Sequence, residues 1–77
     1  MNVFEERGIT TLDLHGVKHY EVFDLTHEFV LRHQDKTPLI IICGNSVKMI
    51  ELVSKCCKKM DFTFSEPRFG IIRIERV

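Results

Sequence analysis

Apolar and polar positions alternate from Ile9 to Leu14 and the run stops at Gly16, so the first strand is expected there. Residues 1–8 are polar and read as an N-terminal arm. From about Lys18 to His33 the spacing becomes helical. Val22, Leu25 and Phe29 share one stripe, widened by Tyr20, Phe23 and Val30, while Glu21, Asp24, Glu28 and Arg32 face elsewhere. Gln34 to Pro38 is a polar turn, because proline removes a backbone donor and stops the helix. Leu39 to Cys43 is apolar throughout and rich in β-branched residues, the signature of a strand buried on both faces. Gly44-Asn45-Ser46 then turns the chain into a second helix, from Ser46 or Val47 to Met60. Asn45 and Ser46 are good N-cap residues, and Ile50, Val53, Cys57 and Met60 form the expected buried stripe. Phe62-Thr63-Phe64 alternates as a short strand, and Ser65 to Gly70 reads as a hairpin connection. Ile71 to Arg76 closes the chain with Ile72 and Ile74 inward and Ile71, Arg73 and Glu75 outward.

The resulting order, β-α-β-α-β-β, predicts an α/β two-layer sandwich. A four-stranded mixed sheet is covered on one face by two helices, leaving its second face exposed. A helical crossover joins the first two strands, so they run parallel, and the last two make an antiparallel hairpin. Residues 9–77 form a single domain behind the 1–8 arm.

Composition narrows the class. A chain of 77 residues with 44% apolar and 29% charged residues can build one modest core. The longest clean apolar run, Leu39 to Cys43, is far short of the roughly 20 residues that span a bilayer. Glu5 and Glu6 stand where a signal peptide needs an apolar segment, so the expected location is the cytoplasm, with no membrane partner. The cysteines, Cys43, Cys56 and Cys57, are odd in number and lack Cys-x-x-Cys spacing, which favours neither disulfides nor zinc. Formal net charge is zero, arguing against indiscriminate nucleic-acid binding by bulk charge. The charge is unevenly spread: the second helix carries Lys48, Lys55, Lys58 and Lys59 against Glu51 alone.

Candidate chemistry gathers at two glycine turns. Alternation sends Leu12 and Leu14 to one face of the first strand, leaving Asp13 and His15 together on the other at the strand exit. Parallel strands end on the same edge, so the turn at His15 and Gly16 should lie beside that at Gly44, Asn45 and Ser46. The second turn opens a helix, whose free amides and positive dipole end suit an anion, and Lys48 adds charge. A carboxylate and an imidazole beside such a turn suit a phosphodiester. Simpler readings exist for each part. Asp-x-His can be exposed polar surface, Asn-Ser ordinary helix capping, and the lysines a solvated face. Asp13, His15 and His19 lack a fourth metal ligand, and Cys43 at a buried strand end reads as core rather than nucleophile.

Leu12-Asp13-Leu14-His15-Gly16, a following amphipathic helix, Ile41-Ile42-Cys43-Gly44-Asn45-Ser46 opening another, and the closing Gly70-Ile71-Ile72-Arg73-Ile74 together resemble the Smr (small MutS-related) domain from Ile9 to Val77. The family's second motif is His or Thr followed by Gly-x-Gly; this chain keeps the first glycine as Gly44 and has Ser46 in place of the second. The resemblance implies a sandwich like the C-terminal domain of bacterial translation initiation factor three. It also implies nicking or endonuclease activity on DNA or RNA. By position, Asp13 and His15 match the family's acid–histidine pair and Gly44 its glycine loop.

The leading expectation is thus an Smr-type nuclease with DNA or RNA as partner. His15 would move a proton and Asp13 would orient His15 or help position water, while Gly16, Gly44, Asn45, Ser46, Lys48 and Arg73 would hold phosphate. Attack by a ribose 2′-hydroxyl would need no metal; attack by water would suit a divalent cation. Two alternatives stand beside it. One is a binding module that grips DNA, RNA or a ribosome-associated site without cutting. The other is a protein-interaction domain, a homo-oligomer or a member of a larger nucleoprotein assembly, that pairs through an exposed sheet edge.

Overall fold

The same hydrophobic alternation that marks the strands decides how they pair. A computed structural model describes residues 2–77. Its elements are β1 (Asn2–Glu6), β2 (Ile9–Asp13), α1 (His19–Arg32), a 3-10 turn (Gln34–Lys36), β3 (Leu39–Ile42), α2 (Val47–Lys59), β4 (Thr63–Arg68) and β5 (Ile71–Arg76). The strands form one mixed sheet in the order β1-β2-β3-β5-β4. Only β2 and β3 run parallel, as expected from the helical crossover between them; the other neighbours are antiparallel. Among the described residues, no helix is long and apolar enough to cross a membrane.

The sheet has five strands, not the four expected. Asn2–Glu6, taken as an arm, pairs along β2 from Asn2 opposite Asp13 to Glu6 opposite Ile9. Met1, counted in that arm, lies outside the described residues. The cause is the turn. Arg7 (φ +53) and Gly8 (φ +81) make a two-residue connection with both central residues at positive φ, the arrangement whose twist matches paired strands. Val3, opposite Leu12, packs against the core; the other four residues of β1 are exposed, which hid the strand in a polar stretch.

β4 is also longer than expected, running through Pro67 to Arg68, so the connection shrinks to Phe69 and Gly70. Proline is tolerated because β4 is an edge strand, and its pairing with β5 carries register shifts.

Leu12, Leu39, Ile41, Ile72 and Ile74 are fully buried, and share one core cluster with Val22, Phe29 and Val30 of α1 and Met49, Val53 and Cys57 of α2. Each such side chain contributes about 1.5–3 kcal/mol when removed from water. The helix stripes shift slightly from the sequence reading. In α1 Thr26, not Leu25, completes the buried face with Val22, Phe29 and Val30, while Tyr20 is 79% exposed. In α2 Met49 and Cys56 join Val53 and Cys57, and Ile50 and Met60 are only partly buried. The Cys56 thiol donates to the Phe23 carbonyl at 3.6 Å, tying the two helices together.

Candidate functional site

The parallel register sets Asp13 opposite Ile42, so β2 and β3 end level with one another. The Leu14 N–H donates to the Ile42 carbonyl at 3.0 Å and carries the pairing one residue past the strand. Each chain then turns, through Gly16 and Gly44 respectively. Asp13, His15, Gly16, Gly44, Asn45 and Ser46 consequently line one open depression of about 560 Å³. Six of the eight residues singled out in the sequence therefore meet.

The other two do not. Lys48 is exposed on the first turn of α2 and is not part of the lining. Arg73 pairs opposite Ile40, two residues back along β3 from Ile42, which sets it away from the depression. Its Nε lies 3.0 and 3.1 Å from the two carboxylate oxygens of Glu75, an ion pair within β5. Alternation put Arg73 on the right side of the sheet but at the wrong height.

The contact between Asp13 and His15 also differs from expectation. The His15 backbone N–H donates to Asp13 Oδ1 at 2.9 Å, whereas the expected role was to orient the imidazole. Strand geometry ends at Asp13, and its short carboxylate closes a local turn by binding the amide two residues on. Asp13 thus fixes where the backbone of His15 leaves the strand, and the His15 side chain stands exposed above it.

On the opposite wall Ser46 is the N-cap of α2, with its hydroxyl accepting from the Met49 N–H at 3.1 Å. Ser46 has φ −95° and ψ 108°, ordinary extended backbone, so a side chain fits here without conformational strain. Capping takes up Met49's amide and leaves those of Val47 and Lys48 with no intrahelical acceptor, at the positive end of the helix dipole.

Cys43 and Met49 also line the depression. Burial, aided by the nearby Glu66 carboxylate, pushes the Cys43 thiol up to about 11, so it is protonated at neutral pH and is a poor nucleophile. Behind it lies a residue counted only as part of a hairpin connection and the start of the last strand. The Gly70 carbonyl accepts from the Cys43 N–H at 2.7 Å, and the Gly70 N–H donates to Glu66 Oε2 at 3.3 Å. A Cβ on Gly70 would strike the Gly44 carbonyl, so the β4–β5 turn buttresses the glycine turn from behind. The sequence signal was the glycine itself, at a turn position with φ +87.

Among the described residues, no group of three or more His, Cys, Asp and Glu side chains gathers as a metal site. No protein-family model, curated protein or solved structure matches the chain.

Proposed function

We propose that the chain is an Smr-type nuclease that cleaves a nucleic-acid phosphodiester at the β2–β3 edge. The observation that carries this reading is the meeting of Asp13, His15 and Gly16 with Gly44, Asn45 and Ser46 in one depression at the ends of two parallel strands. Such a crevice is where open α/β sheets take ligands. The layering that goes with the reading has both helices on one face of the sheet. It is supported by the single core that joins Leu12, Ile41 and Ile72 to the buried residues of α1 and α2.

In this mechanism the phosphate sits against the Gly44 turn and the unpaired amides that open α2, with Lys48 as a nearby counter-charge. The exposed imidazole of His15 transfers the proton, from the attacking hydroxyl or to the leaving oxygen. Asp13 acts as a positioning residue by holding His15's backbone. Backbone amides fixed before the reaction stabilise the charge that develops on the phosphoryl oxygens. Ser46 supports this arrangement rather than obstructing it, because its hydroxyl is engaged with the helix.

One observation favours a second reading, a binding module for DNA or RNA that does not cut. Asp13 grips the amide of His15, and an imidazole without a carboxylate partner is a weaker catalyst. One experiment separates the two. Purified protein is incubated with supercoiled plasmid and with labelled single-stranded RNA, with and without chelator, beside Asp13→Ala and His15→Ala. Cleavage by the parent chain that disappears in His15→Ala and falls in Asp13→Ala is expected. Cleavage that survives in both variants refutes the catalytic assignment, and binding that weakens steeply with salt, without cleavage, selects the module.

A further inference from the structure

The depression that holds Asp13 and Gly44 does not end at Ile42. Ile42 also lines a second hollow, of about 380 Å³, floored by Ile9, Ile40, Ile42 and Ile71. These isoleucines alternate with the core residues of β2, β3 and β5, so they lie on the opposite face of the sheet, and all four are only half-buried. Phe4, 39% exposed, sits opposite Thr11 on that same face. The ionised side chains around the hollow are Arg7 and Arg68 against Glu6, an excess of positive charge around an apolar floor. Arg68 lines the hollow, and the next residue along the β4–β5 turn is Phe69, 60% exposed. Its neighbour Gly70 abuts the Gly44 carbonyl, so Phe69 lies one residue from the backbone that touches the glycine turn. Consecutive Cα atoms are about 3.8 Å apart, so the Phe69 backbone lies that close to the residue that abuts the Gly44 turn.

We infer that this face is the path of an unpaired nucleic-acid strand leaving the candidate site. Phe69 stacks on the base nearest the bound phosphate, the isoleucine floor carries the following bases, and Arg68 and Arg7 hold the phosphates beside them. The inference rests on the function proposed above and narrows its substrate. A duplex turns phosphates outward and hides its bases, so it would set charge against an apolar floor. A single strand can lay base faces there and turn its phosphates to the arginines. The same chemistry serves RNA and DNA.

The test measures anisotropy of labelled single-stranded RNA, single-stranded DNA and a blunt RNA duplex of the same sequence with the full chain, Phe69→Ala and Arg68→Glu. Both substitutions are at exposed positions, and circular dichroism verifies that each variant folds. Single strands are expected to bind more tightly than the duplex, and Phe69→Ala to weaken them about 5- to 150-fold, the range for one lost aromatic–base stack. Arg68→Glu is expected to weaken them and to lower the slope of log affinity against log salt by about 1. Single-strand affinity unchanged in both folded variants, or a preference for the duplex, overturns the strand path. If His15→Ala still abolishes cleavage in that case, the catalytic reading stands without it. A parent chain that neither binds nor cleaves any of these substrates overturns both.

Discussion

Replacing Gly70 by alanine tests whether the β4–β5 turn braces the candidate site. A Cβ there lands on the Gly44 carbonyl, and its three nearest neighbours are all backbone atoms of Gly44. Gly44→Ala is the control, because Gly44 also has positive φ, +70 against +87, yet a Cβ on it meets nothing within 4 Å. Both variants incur the left-handed penalty of about 1–2 kcal/mol, offset by about 0.4–1 kcal/mol as alanine stiffens the unfolded chain. Gly44→Ala should therefore cost about 1 kcal/mol. Gly70→Ala must also displace backbone, and overpacking of that kind adds about 1–3 kcal/mol, for about 2–4 kcal/mol in all. A domain of this size loses roughly 4–8 °C per kcal/mol, so melting should fall by about 4–8 °C for Gly44→Ala and about 8–32 °C for Gly70→Ala. Urea titrations followed by far-ultraviolet circular dichroism give both differences. Equal destabilisation by the two variants would falsify the brace, since a clash with backbone is expected at Gly70 alone.

Thr26 is fully buried on α1 and its Oγ1 has no hydrogen-bond partner among the described residues. Thr26→Val keeps the shape, removes the unpaired hydroxyl and should stabilise the fold by about 1–3 kcal/mol; a loss in urea titration refutes that. Ser46→Ala should cost about 1 kcal/mol as the cap on Met49 is lost, and Ser46→Asp, which can accept the same bond, should cost much less; no loss in urea titration of Ser46→Ala would show that the hydroxyl does not cap. Burial raises the thiols of Cys43, Cys56 and Cys57, the first two to about 11 and the third to about 12, from 9.0. The folded state favours their protonated form. Their stabilisation is therefore complete below pH 9 and should drain away as pH rises through 11 to 12, together with slow alkylation by iodoacetamide at pH 8 that accelerates on unfolding. Fast native-state labelling would contradict the burial.

Where side chains carry the structure, the sequence was readable. The parallel β2–β3 pair, both helices and the inward Ile72 and Ile74 follow from periodicity, and parallel topology brought the His15–Gly16 and Gly44–Ser46 turns together. β1 escaped because it contributes one side chain, Val3, to the core and is held mainly by backbone pairing to β2, which leaves almost no hydrophobic period. Arg7-Gly8 was its one local sign. The bond from the His15 amide to Asp13 was hidden for a related reason: strand alternation stops counting where the strand stops. Gly70 was visible as a turn glycine, but its contact with Gly44 joins residues far apart in sequence, and no local pattern encodes that.

The strand order also has a consequence for how the protein folds. β1–β2 and β4–β5 are hairpins closed by two-residue turns, the quickest pairings for a chain to find. β3 joins them, reaching β2 across α1 and β5 across α2 and β4, and such long loop closures come slowly. The depression lies on that seam: Asp13 ends one hairpin, Gly70 turns the other, and Gly44 follows the strand between them. Neither hairpin carries a partial version of it. The Leu14 and Cys43 amide protons, bonded to Ile42 and Gly70 across the two joints, should exchange with solvent only through opening of the whole domain. Any activity housed there would vanish in step with global unfolding, with no partly folded species able to retain it.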